Sequence, residues 1–124
     1  MGIKKFFWDS YAVIETIKGN SNYSPYKDEE VIITIFNLAE IYFSALKDLE
    51  ETIAEKIYQQ YSLSVLEVSD KVIKNAMKFK LKNKNKNLSY TDCIGYIYAI
   101  ENDLVFLTGD KEFEDLENVE FVKK

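Results

Sequence analysis

The sequence predicts an α/β fold, a three-layer α/β/α sandwich with a mainly parallel central sheet. Short apolar segments with strand character alternate along the chain with longer segments whose apolar residues recur at helical spacing. Such alternation is typical of strand-helix-strand units, in which successive strands run parallel. With 124 residues, of which 47% are hydrophobic, the chain can bury a core of its own. We therefore expect one domain over residues 1–124.

The predicted elements follow in chain order. A strand is expected at residues 3–8 and a helix at 10–18. Residues 19–28 hold turn formers and the only proline, which predicts a loop. Residues 31–35 fit either a short strand or the start of a helix. The remaining predicted elements are helices at 36–46 and 49–61, a strand at 64–68, a helix at 70–82 capped by Ser69, a helix at 90–101, a strand at 104–107, a helical turn at 111–116 and a strand at 119–122.

The composition excludes several kinds of chemistry. The chain has no histidine, which excludes imidazole bases, Ser-His and Cys-His nucleophile pairs and His-bound metals. All 16 basic residues are lysine, so no guanidinium can clamp a phosphate. The single Cys93 cannot form an internal disulfide, and no apolar stretch reaches the roughly 18 residues of a bilayer span. We expect a soluble, cytoplasmic protein without membrane association.

Three otherwise apolar segments each carry one isolated carboxylate. Asp9, Glu40 and Asp92 are each the sole charge within at least nine consecutive residues. The helix expected around Glu40 is apolar almost all round, which predicts that it is buried. Burying one such carboxylate without a partner costs several kcal/mol, and two at about 5 Å repel by roughly 3 kcal/mol more. Without arginine or histidine, lysine, protonation or a hard divalent cation must offset this charge, and carboxylate oxygens suit Mg²⁺ or Mn²⁺.

A fourth acidic residue, Asp110, follows the predicted strand at residues 104–107 in the stretch LTGD. Ligand sites in parallel α/β sheets lie beyond the carboxyl ends of the strands, which is where Asp9 and Asp110 both fall. The sequence therefore places two of the four acidic residues at the same edge of the predicted sheet.

Each acidic residue also has a purely structural interpretation. Asp9 can cap the first helix, and Asp92 can form a capping box with Ser89. Glu40 can extend its carboxylate from an apolar helix to the surface, and Asp110 can belong to a Gly-Asp turn. The order and setting of the four together favour a shared site.

In the settings FFWDSYAVIE, NLAEIYF, SYTDCIGYIYAIEND and FLTGDKEF, the acidic residues resemble the pattern of the PIN-domain family. That pattern has Asp-Ser/Thr after the first strand, a Glu within an apolar early helix, an Asp opening a helix of small and apolar residues, and Thr-x-Asp after the next strand. The small residues Cys93, Gly95 and Ala99 and the aromatic Phe113 also match. The resemblance extends over residues 3–122.

The resemblance implies a metal-dependent ribonuclease, most often the VapC-like toxin of a type II toxin-antitoxin pair, with an antitoxin protein as partner. It implies one or two Mg²⁺ or Mn²⁺ ions, which activate water for in-line attack on an RNA phosphodiester without any histidine. The implied site consists of the catalytic and metal-binding residues Asp9, Glu40, Asp92 and Asp110 and the supporting polar residues Ser10 and Thr108.

Further contacts with RNA are predicted from lysine. Lys78, Lys80 and Lys82 belong to the one basic tract of a chain with a net charge of −5, and such a tract can bind the RNA backbone. The alternative is a solvated helix end, because lysines at alternate positions cannot all share one helix face. Tyr11 stands where the family frequently has a smaller residue, which would shape the pocket.

Other protein classes fit the same residues less well. A response-regulator receiver needs a phosphate-accepting aspartate after a central strand, where the chain offers only Asp70 at a predicted helix start. A haloacid-dehalogenase-like phosphatase needs Asp-x-Asp after the first strand, which Asp9-Ser10-Tyr11 does not provide. Two alternatives stay open: a PIN nuclease of RNA processing, and a non-catalytic interaction module on the same fold.

A homodimer is also expected. Nine tyrosines and eight phenylalanines exceed what one small core needs, and members of the resembled family are commonly dimers. The apolar helix face expected to form the interface carries Ile41, Tyr42, Ala45, Ile53 and Ile57.

Overall fold

A computed structural model describes residues 3–123. Within them, three short strands form a parallel sheet in the order β1-β2-β3. In register, Trp8 lies beside Leu107, and Thr108 lies beside Phe121. The strands are β1 (Phe6–Trp8), β2 (Val105–Thr108) and β3 (Val119–Phe121).

Helices cover both faces of this sheet. Side chains alternate along a strand, so Phe7 points into one buried cluster with residues of the fourth and fifth helices, and Phe6 and Trp8 point into another with residues of the first two. This arrangement confirms the predicted parallel α/β sandwich. The α-helices are α1 (Ser10–Ile17), α2 (Ile35–Asp48), α3 (Glu51–Ser62), α4 (Asp70–Lys82) and α5 (Tyr90–Glu101).

The segments beside β1 are less regular than the sequence predicts. The Trp8 N–H donates to the carbonyl of Ile32 at 3.0 Å, and Ile33 pairs with Val65 in a single parallel bridge. The strand predicted at residues 64–68 is thus wrong in extent, because the pairing stops at this bridge. Residues 31–35 combine both predicted alternatives, since the bridge at Ile33 is followed at once by α2.

Two predictions about the helices that carry apolar residues are wrong. The charge pattern predicts that α2 is buried almost all round, yet Phe43 is 67% exposed. The predicted dimer face includes Ile41 and Ala45, which are buried in the core.

Within residues 3–123, no helix is long and apolar enough to cross a bilayer.

Close packing of α5 on the sheet depends on Gly95. A Cβ atom at Gly95 would lie 2.7 Å from the ring of Phe7 in β1. Because the position is glycine, α5 can lie directly on the sheet. This contact brings the first turn of α5, which carries Asp92, to the carboxyl ends of β1 and β2.

Candidate active site

The carboxyl ends of β1 and β2 place Asp9 and Thr108 side by side. Asp9 directly follows β1, and Thr108 is the last residue of β2. The Thr108 hydroxyl donates to Oδ2 of Asp9 at 2.6 Å and accepts a hydrogen bond from the backbone N–H of Asp110 at 3.0 Å. One buried hydroxyl therefore orients one acidic side chain and the backbone of a second acidic residue.

Asp9 is buried but does not cap a helix with its side chain. It occupies the N-cap position of α1, yet its carboxylate makes no capping hydrogen bond. The residue is 2% exposed. Burial, followed by the negative charge of Asp92, raises the pKa of Asp9 to about 8, although the hydrogen bond from Thr108 opposes the rise. The charges of Asp110 and Glu40 add to it. The capping interpretation of Asp9 is therefore wrong for its side chain.

Asp92 combines a capping role with a place in the cleft. Its Oδ2 accepts from the Ser89 N–H at 2.9 Å, and the Ser89 hydroxyl accepts from the Asp92 N–H at 3.0 Å. Burial raises the pKa of Asp92, the Ser89 hydrogen bonds lower it, and the charges of Asp110 and Glu40 raise it again. Because the cap uses one carboxylate oxygen, the other is left for a ligand.

Asp110 and Glu40 complete the acidic set. Oδ1 of Asp110 accepts from the Glu112 N–H at 3.0 Å and so caps the short 3₁₀ helix Lys111–Phe113, as the turn interpretation predicts. Glu40 lies half-buried on α2. All four carboxylates line one open cleft of about 570 Å³. Among residues 3–123, none of the four forms an ion pair with a lysine.

The donor set of this cleft fits a divalent cation in its chemistry. Four carboxylates that form no ion pair among residues 3–123 supply hard oxygen ligands, and burial, followed by the negative charge of Asp92, raises the pKa of Asp9. In residues 3–123, no three acidic or cysteine side chains lie close enough to surround one ion as they stand. Binding would therefore have to draw the carboxylates closer together.

Comparison with known proteins identifies the family. The sequence model of the PIN-domain family matches residues 7–119 of this chain. The chain belongs to the PIN-domain family. This match confirms the resemblance seen in the four acidic segments.

Two solved structures share the PIN fold of this chain. A chain of a toxin-antitoxin complex from Klebsiella pneumoniae has a TM-score of 0.77 and 15% identity, with 97% of this chain and 99% of that one covered. A chain of VapBC2 from Rickettsia felis, bound to a DNA fragment from the promoter, has a TM-score of 0.66 and 16% identity, with 94% and 96% covered. Among curated proteins, no sequence matches significantly. At 15% and 16% identity, these similarities show that the chains share a fold and nothing further.

Asn37 contacts Ser10, which lines the cleft, and the sequence analysis missed this residue. It is 1% exposed on the first turn of α2, and its Nδ2 donates to the hydroxyl of Ser10 at 2.9 Å. Its Oδ1 accepts from the hydroxyl of Thr34 at 2.7 Å and from the Thr34 N–H at 3.0 Å. The spacing T-I-F-N was the available signal, because a polar residue three positions after a threonine at a helix start forms a capping box.

The lysines predicted to contact RNA lie outside the cleft. Lys78 and Lys82 are exposed on α4. Lys80 donates to the carbonyl of Leu88, and its Nζ lies 5.0 Å from the ring centre of Tyr90. The cation that lines the cleft is Lys47, at the end of α2.

Proposed function

We propose that this PIN domain is a metal-dependent endoribonuclease, with Asp9, Glu40, Asp92 and Asp110 as ligands of one or two Mg²⁺ or Mn²⁺ ions. The observation that carries the proposal is the convergence of four carboxylates, without a lysine partner among residues 3–123, on one open cleft. When bound, such a cation activates water and stabilises charge on the oxygens of a phosphodiester.

The protein's own contribution is to hold the acidic side chains in place. Thr108 holds Oδ2 of Asp9, which leaves Oδ1 for a ligand. The Ser89 cap holds Asp92 in the same way. Because the Ser10 hydroxyl accepts its hydrogen bond from Asn37, its own proton is free to be donated to an oxygen in the cleft. These hydrogen bonds restrain Asp9 and Asp92, so the approach of the carboxylates that ion binding requires starts from a partly ordered set of ligands.

The biological role proposed is that of the toxin in a type II toxin-antitoxin pair, acting on RNA in the cytoplasm and bound by an antitoxin protein. The proposal is supported by two solved structures of similar fold, a toxin-antitoxin complex and VapBC2, in which the match covers at least 94% of both chains. A PIN nuclease of RNA processing would use the same four acidic residues, so the toxin role needs its own test.

Cleavage of a mixed panel of structured and unstructured RNAs tests the enzymatic proposal. The wild type is expected to cleave with Mg²⁺ or Mn²⁺ and to be inactive in EDTA. Asp9→Asn keeps the shape of the side chain but removes its charge, and we expect at least about a hundred-fold loss of rate. Lys56→Gln, an exposed change on α3, serves as the control that keeps activity. A folded wild type that neither cleaves RNA nor binds Mn²⁺ by calorimetry would instead indicate an interaction module.

Induced expression in a bacterial host tests the toxin role. The wild type should arrest growth, and Asp9→Asn should not. Metal-dependent cleavage in vitro without growth arrest would contradict the toxin role and favour RNA processing.

A further inference from the structure

A second pocket adjoins the acidic cleft. This side pocket has a volume of about 470 Å³. Tyr11 and Asp110 line both spaces and therefore form the boundary between them. The side pocket is also lined by Gly109, Lys111, Glu114, Phe121 and Lys123.

The ring of Tyr11 is held in place by its contact with Gly109. A Cβ atom at Gly109 would lie 2.6 Å from the ring of Tyr11 and 2.6 Å from the hydroxyl oxygen of Tyr23. Tyr23 is 3% exposed, and its hydroxyl has no hydrogen-bond partner among the described residues. The absence of a side chain at Gly109 thus lets the Tyr11 ring lie against the backbone, at the junction of the two spaces. Tyr11 itself is only partly buried.

The side pocket carries two lysines, Lys111 and Lys123, beside two acidic residues, Asp110 and Glu114. Lys111 and Lys123 are exposed, and within residues 3–123 neither forms an ion pair. Glu114 is the acidic residue of the pocket that is not part of the four-carboxylate cleft. Two lysines of the basic tract at the end of α4 differ, because Lys86 donates to the carbonyl of Glu112 at 3.2 Å and Lys80 donates to the carbonyl of Leu88.

We propose that the side pocket binds one unpaired ribonucleotide next to the phosphodiester that the acidic cleft cleaves. The base stacks on Tyr11, and Lys111 and Lys123 contact a neighbouring phosphate. An aromatic ring beside lysines is the chemistry that recognises single-stranded nucleic acid, because a base can stack only when it is free of its pair. This inference rests on the proposed nuclease function and adds to it a subsite that binds one base beside the cleaved bond.

Binding of a short, unstructured oligoribonucleotide to Asp9→Asn tests the side pocket without cleavage. Fluorescence anisotropy is measured for a series in which each position in turn carries a ribose without a base. Removal of the base at one position should weaken binding by about ten-fold, which is typical of the loss of one stacking contact. Tyr11→Ala should weaken binding to the complete RNA by a similar factor and should remove the penalty at that position. Tyr11→Phe keeps the ring and should behave as the parent.

The dependence of binding on salt tests the two lysines. Lys111→Gln and Lys123→Gln should each reduce the slope of log Kd against log salt by about 0.7, the value for one phosphate contact to a single strand. Lys56→Gln, which lines neither pocket, should leave the slope unchanged.

Three results would overturn the proposed nucleotide site. The loss of affinity could be the same whichever base is removed, it could persist at one position in Tyr11→Ala, or a fully paired duplex could bind as tightly as the unstructured RNA. Because these readouts measure binding, they separate the two proposals. Metal-dependent cleavage by a wild type whose Tyr11→Ala variant binds RNA equally well would leave the nuclease standing without the side pocket. The expected binding results without any cleavage would leave an RNA-binding site and remove the nuclease.

Discussion

At the scale of single residues, Thr108 is the point on which the acidic site depends. Its side chain is fully buried, and its hydroxyl both donates to Asp9 and accepts from the Asp110 backbone. A buried carboxylate surrounded by like charges needs such a donor, because a hydrogen bond to the ionised form is what lowers its pKa. Thr108 is therefore a positioning residue, although it contributes no metal ligand to the proposed site.

Replacing Thr108 by valine should damage stability and metal binding together. Thr108→Val keeps the shape but leaves the Asp9 oxygen and the Asp110 N–H without a partner, which costs about 1 to 3 kcal/mol of unfolding free energy. Urea denaturation measures this loss, and calorimetry should show weaker Mn²⁺ binding because the pKa of Asp9 rises further. Thr108→Ser keeps the hydroxyl and is the matched control. Equal stability of the two variants would show that the hydrogen bonds contribute little.

The acidic residues could be predicted from the sequence, but the groups that hold them could not. A lone charge in an apolar stretch is visible within a few residues, so Asp9, Glu40 and Asp92 could be found locally. The bond from Asn37 to Ser10 joins residues 27 positions apart, and only the fold brings them together. The sequence therefore shows which carboxylates are isolated among apolar residues. The hydrogen bonds that hold the site together depend on the tertiary structure.

At the scale of elements, helices are predicted more accurately than strands. The bounds of α4 and α5 agree with the sequence, and their first residues could be predicted because Ser69 and Ser89 cap them with hydrogen bonds to the backbone three residues on. The strand predicted at residues 64–68 is reduced to one bridge, since strand pairing depends on a distant partner. The exposure of Phe43 was not predicted for a related reason. An apolar side chain indicates that burial is favourable, but the sequence does not show whether the core of the same chain or another protein would bury it.

The packing of α5 on β1 gives a prediction that opposes helix propensity. Alanine is favoured over glycine within a helix by about 1 kcal/mol. Gly95→Ala should nevertheless destabilise the fold by about 1 to 3 kcal/mol, because its Cβ would lie 2.7 Å from the ring of Phe7. Urea denaturation measures the change. The double variant with Phe7→Leu should cost less than the sum of the single changes, since the smaller side chain makes room. A stabilised Gly95→Ala would contradict this account of the packing.

At the scale of the whole molecule, apolar side chains on α2, on α3 and on the short segment between them remain exposed. Phe43 is 67% exposed, Leu46 41%, Leu49 40% and Ile53 45%. Large exposed apolar surfaces mark sites of protein association. These residues replace the buried Ile41 and Ala45 as candidates for the proposed dimer interface.

A homodimer through this surface should be visible in solution. Light scattering at micromolar concentration should give twice the mass of the chain for the wild type. Ile53→Glu should give the mass of a monomer, because an unpaired carboxylate in an apolar interface is costly. Lys56→Gln on the same helix should remain dimeric. A monomeric wild type would reject the homodimer and leave the surface to another protein such as an antitoxin.

The dependence of stability on pH joins the buried acidic site to the whole fold. In the unfolded chain Asp9 titrates near the ordinary value of 3.8, whereas burial and the neighbouring acidic residues raise its pKa to about 8 in the folded protein. Between these values the folded state binds the additional proton, so in EDTA the free energy of unfolding should fall as pH rises. One group contributes a slope of at most about 1.4 kcal/mol per pH unit.

Divalent metal should reverse this trend. A cation binds the ionised carboxylate, so the increase in Tm on adding Mg²⁺ should be small near the lower of the two pKa values and largest as pH approaches the upper one. Asp9→Asn cannot ionise at this position, so it should lose most of the fall in stability in EDTA, apart from the part contributed by Asp92, whose pKa is also raised, and most of the stabilisation by Mg²⁺. Thermal unfolding of both proteins across this pH range, with Mg²⁺ and with EDTA, measures the effect. An unchanged pH profile in Asp9→Asn would show that the charge of Asp9 is balanced in the folded protein without a metal ion, which would remove the electrostatic reason for placing one in the cleft.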